Sequence, residues 1–356
     1  MLGKILRGCL AIIAIASLLL GAIVARHIVY WSPHEDVSFP SGDIELAGTV
    51  VKPSGDGRVP AIVMLHGSGR EPRTDPSTRP VVNALVRAGF AVLAYDKRGV
   101  GASGGDFDSA LYRDFIADGV AAVHYMAARP DVDPAAIGLY AVSEGGWLAP
   151  EIAVNSGRIR FIFNKVGSPL SFMETVAWEV RNDFLAAGIA AEDVKALVDV
   201  TVRRWRFYID VAADPSLANG EERHAINARL ATLRREVAGA SEVLAEKLGP
   251  YDAVTYAAYA ADLAYDPSPF LRQLDIPLYY AYGGQDINVP TDECVAELQR
   301  IIAAQGKDIG ITVYPHVGHT LVTWRGLLTM GYVPGYLETL SRWTSSQVRP
   351  RQESAR

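Results

Sequence analysis

Short apolar runs alternating with helix-patterned stretches constrain this chain more than any other feature of its sequence. Ala61–Leu65 and Ala91–Tyr95 are too short and too continuous to be amphipathic helices, and each ends in a polar turn, His66-Gly67 and Asp96-Lys97. Runs of this kind read as strands buried on both faces. Ile137–Val142 is a third, and Phe161–Phe163 begins a fourth. Between them lie Pro80–Ala88, stopped by Gly89, then Tyr112, Ile116, Val120 and Val123 at helical spacing, then Glu144–Asn155. Strands alternating with helices in this way predict an α/β chain, with a mostly parallel twisted sheet and helices on both faces. Val37–Val51 alternates loosely around Ser41-Gly42-Asp43, which predicts a hairpin ahead of the first buried strand.

Strand punctuation then stops from Pro169 to Pro269. Val194, Leu197, Val198, Val202, Trp205 and Ile209 fall at helical spacing, and residues 221–248 are rich in Arg and Glu. Residues 169–269 therefore read as an all-helical insertion. The strand pattern resumes at Pro277–Tyr282 and Ile309–Tyr314, and a last helix is expected from Gly335 to Thr344. The polar tail, 347–356, is expected to be disordered.

Net charge narrows the partners. The chain carries a formal charge of -6 and no long basic block, which excludes nucleic acid as the expected partner. It has two cysteines, Cys9 and Cys294, and neither a Cys-x-x-Cys nor a His-Glu-x-x-His motif, so no metal and no cofactor is expected.

The first 26 residues differ from the rest. Lys4 and Arg7 precede an uncharged run, Gly8–Ala25, and Arg26 follows it. As a helix that run would span roughly 27 Å, close to the thickness of bilayer hydrocarbon. The positive start predicts a cytoplasmic N-terminus and an extracytoplasmic remainder, periplasmic or at the cell surface. Cleavage after Ala25 would place Ile23 where a small residue is preferred, which favours a retained membrane anchor over a signal peptide and a secreted product.

Chemistry concentrates at three strand ends. Ala141-Val142-Ser143-Glu144-Gly145-Gly146 lies where a strand meets a helix, so Ser143 would sit on a sharp, strained turn with its oxygen exposed. Gly283-Gly284-Gln285-Asp286 follows a later strand, and Pro315-His316-Val317-Gly318-His319 the next. A serine hydroxyl is a weak nucleophile until a histidine takes its proton, and a carboxylate fixes that histidine's tautomer. Ser143, His319 and Asp286 are the candidates for these roles, with His316 as the other possible base; Gly318 before His319 favours the latter. His66-Gly67-Ser68-Gly69 ends the first buried strand. The amides of Ser68 and Glu144 are the candidate oxyanion hole. Residues 99–104 match Gly-x-Gly-x-x-Gly, but Asp96-Lys97-Arg98 separates them from the strand and the acidic residue expected further on falls in a helical stretch. Asp96 and Arg98 read instead as structural ties for the loop beside the Ser143 turn.

On His66–Gly69, Asp96–Ser103, the Ser143 turn, Gly283–Asp286 and Gly318-His319, the chain resembles the α/β-hydrolase superfamily, most of all its esterase, serine-aminopeptidase and dienelactone-hydrolase-like group. The chain order Ser, Asp, His is that superfamily's order. The resemblance covers residues 36–168 and 270–345 and implies an α/β-hydrolase core, with 169–269 in the position of a helical cap that sets substrate choice. Ala141 departs from the usual glycine, and Glu144 from the usual Gln or Met. A carboxylate at 144 could repel an anionic acyl group, favour a cationic one, or simply complement the helix dipole. The expected activity is hydrolysis of carboxylic esters through an acyl-enzyme. Aminopeptidase-like cleavage, with Glu144, Glu174 or Glu179 holding a free amine, and acyl transfer would use the same triad. A non-catalytic binding protein on this fold is a rival from another class.

Overall fold

The computed structural model describes residues 12–22, 29–323 and 331–348. Its strands are β1 (His34–Ser41), β2 (Ile44–Val51), β3 (Val59–Leu65), β4 (Ala91–Tyr95), β5 (Val132–Val142), β6 (Ile159–Lys165), β7 (Leu278–Gly283) and β8 (Ile309–Tyr314). They form one sheet in the order β1-β2-β4-β3-β5-β6-β7-β8. β1 and β2 are the expected hairpin, turned at Gly42 with a φ of 58°. β2 runs antiparallel to β4, and every later pairing is parallel. The fold is thus the expected α/β arrangement.

Side chains of period two separate two cores. Val63, Leu65, Leu93 and Leu139 pack on one face against Val123 and Met126 of the helix Tyr112–Ala128 and Leu148 and Ile152 of the helix Glu144–Ser156. Ile62, Met64, Val92, Tyr140, Phe161 and Phe163 pack on the other, against Val81 and Leu85 of the helix Arg79–Arg87 and Tyr336 and Leu340 of the helix Tyr336–Val348. Covering both faces is what makes β4 apolar along its whole length. Each fully buried aliphatic or aromatic side chain here contributes roughly 1.5–3 kcal/mol.

Between β6 and β7 every described element is helical, chiefly Phe172–Ala186, Ala191–Ala213, Glu221–Glu236 and Ala253–Leu263. Leu197, Phe207, Ile226, Leu230 and Tyr256 form a third apolar cluster within this block. Its first helix starts at a capping box, in which the Ser171 hydroxyl accepts the Glu174 amide at 3.4 Å and the Ser171 amide donates to Glu174 Oε2 at 3.0 Å.

Residues 12–22 are helical, with Ile12, Ile13, Ile15, Leu18, Leu19 and Leu20 exposed. The remainder of the expected anchor, 1–11 and 23–26, lies outside the described residues, and among the described residues no helix is long and apolar enough to cross a membrane. The last helix runs to Val348, so Gln347 and Val348 are helical; 349–356 lie outside the described residues.

Candidate active site

β5 ends at Val142 and a helix starts at Glu144, leaving Ser143 to make the corner with φ 49° and ψ -114°. That backbone conformation is strained for a residue with a side chain, by on the order of 1–3 kcal/mol, and persists only where neighbours enforce it. The enforcing bonds are on both sides: the Ser143 amide donates to the Lys165 carbonyl at 2.9 Å, and the Gly145 amide to the His66 carbonyl at 2.9 Å. Helix and strands approach so closely that a Cβ on Gly145 would lie 2.5 Å from the His66 oxygen. Ala141 is fully buried two residues before the serine, small enough to fit where a glycine was the usual expectation.

Asp286 follows β7, its side chain wholly buried. Its Oδ1 accepts the amides of Asn288 at 2.8 Å and Val289 at 3.0 Å, which leaves Oδ2 for His319 Nδ1 at 2.8 Å. His319 Nε2 lies 2.9 Å from Ser143 Oγ. A carboxylate only accepts, so Nδ1 carries the proton and Nε2 is left to accept from the serine hydroxyl. Ser143, His319 and Asp286 are therefore one hydrogen-bonded chain. His316 is exposed and has no described hydrogen bond to any of them.

Ser68 lines the same cavity as Ser143 and His319. The amides of Ser68 and Glu144 donate to no backbone carbonyl among the described residues, and Glu144 opens a helix, where the dipole is positive.

The Glu144 side chain has a different place from any foreseen for it. It is neither solvated nor in the cavity beside Ser143. Its carboxylate is buried against Lys97, whose Nζ donates to Oε1 at 2.7 Å and to the Gly67 carbonyl at 2.9 Å, with the Phe115 ring 4.3 Å away. Burial raises the carboxyl above its ordinary range, and the Lys97 charge opposes that rise. Glu174 is held in its capping box, and Glu179 accepts from Asn288 Nδ2 at 2.6 Å. All three acids considered for binding a substrate amine already hold other donors.

Asp96 and Arg98 are structural ties. Asp96 accepts the amides of Arg73 at 2.6 Å and Ala102 at 2.9 Å and pairs with the Arg73 guanidinium. Arg98 makes a two-pronged contact with Asp118, at 2.8 and 2.7 Å, and Ser41 Oγ donates to the same carboxylate at 2.6 Å. In the glycine-rich turn 99–104 the Asp96 carboxylate takes the Ala102 amide, and backbone carbonyls take those of Gly99, Val100, Ser103 and Gly104.

A sequence model of the X-Pro dipeptidyl-peptidase (S15) family matches residues 41–307, most of the chain and the segment that carries Ser143 and Asp286. The chain belongs to the S15 family. S15 membership places it in the α/β-hydrolase superfamily, in agreement with the sheet order. It is 26% identical over 159 residues to the quorum-quenching protein AidA of Acinetobacter baumannii, covering 44% of this chain and 52% of AidA. It is 24% identical over 301 residues to esterase EstD of Thermotoga maritima, covering 82% of this chain and 62% of EstD. The chain thus spans half to two thirds of the length of these curated relatives. Among solved structures, the Pyrococcus furiosus esterase Pf2001 superposes with a TM-score of 0.55 at 16% identity, over 89% of this chain and 90% of that one, a likeness of fold.

Proposed function

We propose that this S15-family chain is a cofactor-independent serine hydrolase of carboxylic esters. The observation that carries the reading is the unbroken chain from Asp286 through His319 to Ser143, with both hydrogen bonds under 3 Å and the serine on a strained corner. Ser143 Oγ attacks the acyl carbon while its proton moves to His319 Nε2. The tetrahedral oxyanion faces the Ser68 and Glu144 amides. Asp286 stabilises the imidazolium, which then protonates the departing alcohol. Water, deprotonated by the same histidine, releases the acid from the acyl-enzyme. The esterase relatives support the choice of bond.

The same triad serves amide bonds, and the family description favours X-Pro dipeptidyl cleavage as the second reading. Turnover of p-nitrophenyl butyrate against Gly-Pro-p-nitroanilide separates the two. Ester turnover abolished in Ser143→Ala supports the proposal; turnover of the anilide alone selects the peptidase, and turnover of neither by folded protein overturns both.

Residues 1–26 are read as a membrane anchor that leaves the catalytic part extracytoplasmic, on the strength of the charge-flanked apolar run. Fractionation of the chain with and without those residues tests this: loss of membrane association only in the truncated form supports it, and a soluble full chain contradicts it.

A further inference from the structure

A cavity of about 240 Å³ opens beside Ser143, bounded by the ends of β3, β5 and β6 and by the loop after His319. Lys165 lines it. This lysine is the last residue of β6, in register with Val142 of β5, and its carbonyl holds the Ser143 amide. It is therefore one strand away from the serine.

By the period of two, Lys165 continues the row of Phe161 and Phe163, both in the core with Tyr140 and Tyr336. An ammonium stands where that row would call for another apolar group, with the residue only 8% exposed. Among the described residues its Nζ has neither hydrogen bond nor ion pair, and it sits over the face of Tyr332, 5.3 Å from the ring centroid. Glu71 lines the same cavity but is engaged elsewhere: its carboxylate accepts the Gly67 amide at 3.2 Å and lies 3.6 Å from His66 Nδ1. Burial pushes the ammonium down, and Glu71, Asp286 and Asp75, which reach it only through space, limit the fall to about 8. The group is still cationic at neutral pH. A cavity-lining ammonium with no carboxylate in hydrogen-bonding contact is costly to keep, and an entering anion would complete it with charge-assisted hydrogen bonds.

We propose that Lys165 recognises an anion on the substrate, so that the arm of the ester entering this cavity bears a free carboxylate. The inference rests on the reading of Ser143 as nucleophile and names the substrate class: short esters carrying a second carboxylate.

The test uses the full chain with mono-p-nitrophenyl glutarate, charged on the acid side, the p-nitrophenyl butyrate that lacks the charge, and a butyryl ester of glycolate, charged on the alcohol side. Mono-p-nitrophenyl glutarate is compared with p-nitrophenyl butyrate, and the glycolate ester with ethyl butyrate, so that each pair differs in the charge and not in the class of leaving group. One charged ester should exceed its neutral counterpart in kcat/KM by about tenfold or more, and which one does so locates the carboxylate. Lys165→Met and Lys165→Gln should erase that preference, lowering kcat/KM for the charged ester by about tenfold more than for its neutral counterpart. Equal turnover of charged and neutral esters by the wild type overturns the proposal without any variant, as does a preference that survives both substitutions. If no ester is turned over, the hydrolase reading fails separately. Calorimetric titration with glutarate then decides the inference: binding that depends on Lys165 sustains it, and absent or Lys165-independent binding overturns it.

Discussion

Lys97 Nζ bridges the Glu144 carboxylate and the Gly67 carbonyl, so a single buried ammonium ties together the two turns whose amides flank Ser143. Both side chains are largely buried, 5% and 13% exposed. Removing one partner leaves an uncompensated charge, a loss of about 3–5 kcal/mol. Lys97→Met should therefore lower unfolding free energy by that order in urea titration and reduce kcat with it. The double substitution Lys97→Met with Glu144→Gln should recover most of the stability. A Lys97→Met chain as stable as the wild type would contradict the pairing.

Asp286 has two tasks: Oδ1 holds its own loop through the Asn288 and Val289 amides, and Oδ2 orients His319. Asp286→Asn keeps a carbonyl for the loop but presents an amide donor to the ring, which favours the wrong tautomer. An ester kcat lower by about 10⁴-fold, with KM and melting temperature little changed, is expected. A drop in melting temperature that accounts for the lost activity would reassign Asp286 to a purely structural role.

Lys165 predicts a stability signature of its own. Burial pushes its ammonium down to about 8 in the folded chain, against an ordinary 10.5. Between those values the unfolded chain binds the extra proton, so stability rises with pH across this window. Below it both states are charged and the penalty is full; above it both are neutral and the penalty is gone. Lys165→Met should thus exceed the wild type at pH 7 by on the order of 1–3 kcal/mol, with the gap closing between pH 8 and 10.5. Tyr332, whose ring faces Lys165, and Tyr140 and Tyr336 behind it are all raised by burial above the ordinary phenol range, which keeps them neutral across this window. Guanidinium melts at pH 7, 9 and 10.5 measure it, and a gap that does not change with pH would contradict the assignment.

The fold was legible wherever one short segment carried its own burial pattern. β3, β4 and β7 are covered on both faces and so read as continuous apolar runs, and the hairpin of β1 and β2 shows its turn at Gly42. β5 begins at Val132, five residues before its apolar run, because Val132 pairs with Val59 across a register shift that Asp133-Pro134 conceals. Ser143 stands out because strand, serine and paired glycines are contiguous. The Glu144 carboxylate does not, since its partner Lys97 comes from another strand end, 47 residues away. Lys165 looks like an ordinary polar strand terminus; only the folded chain brings Tyr332 over it and places it in the cavity that Ser68 and Glu71 also line. What local pattern cannot show is a side chain whose surroundings are assembled from distant loops.

The central claim is that Ser143 is an activated nucleophile, and a fluorophosphonate probe tests it most directly, because the probe needs the serine, its base and the oxyanion site but no knowledge of the natural substrate. Labelling of the wild-type chain at Ser143, absent in Ser143→Ala and strongly reduced in His319→Ala, is the predicted result. A folded wild-type chain that takes no label would contradict the account and favour a binding protein on a hydrolase fold.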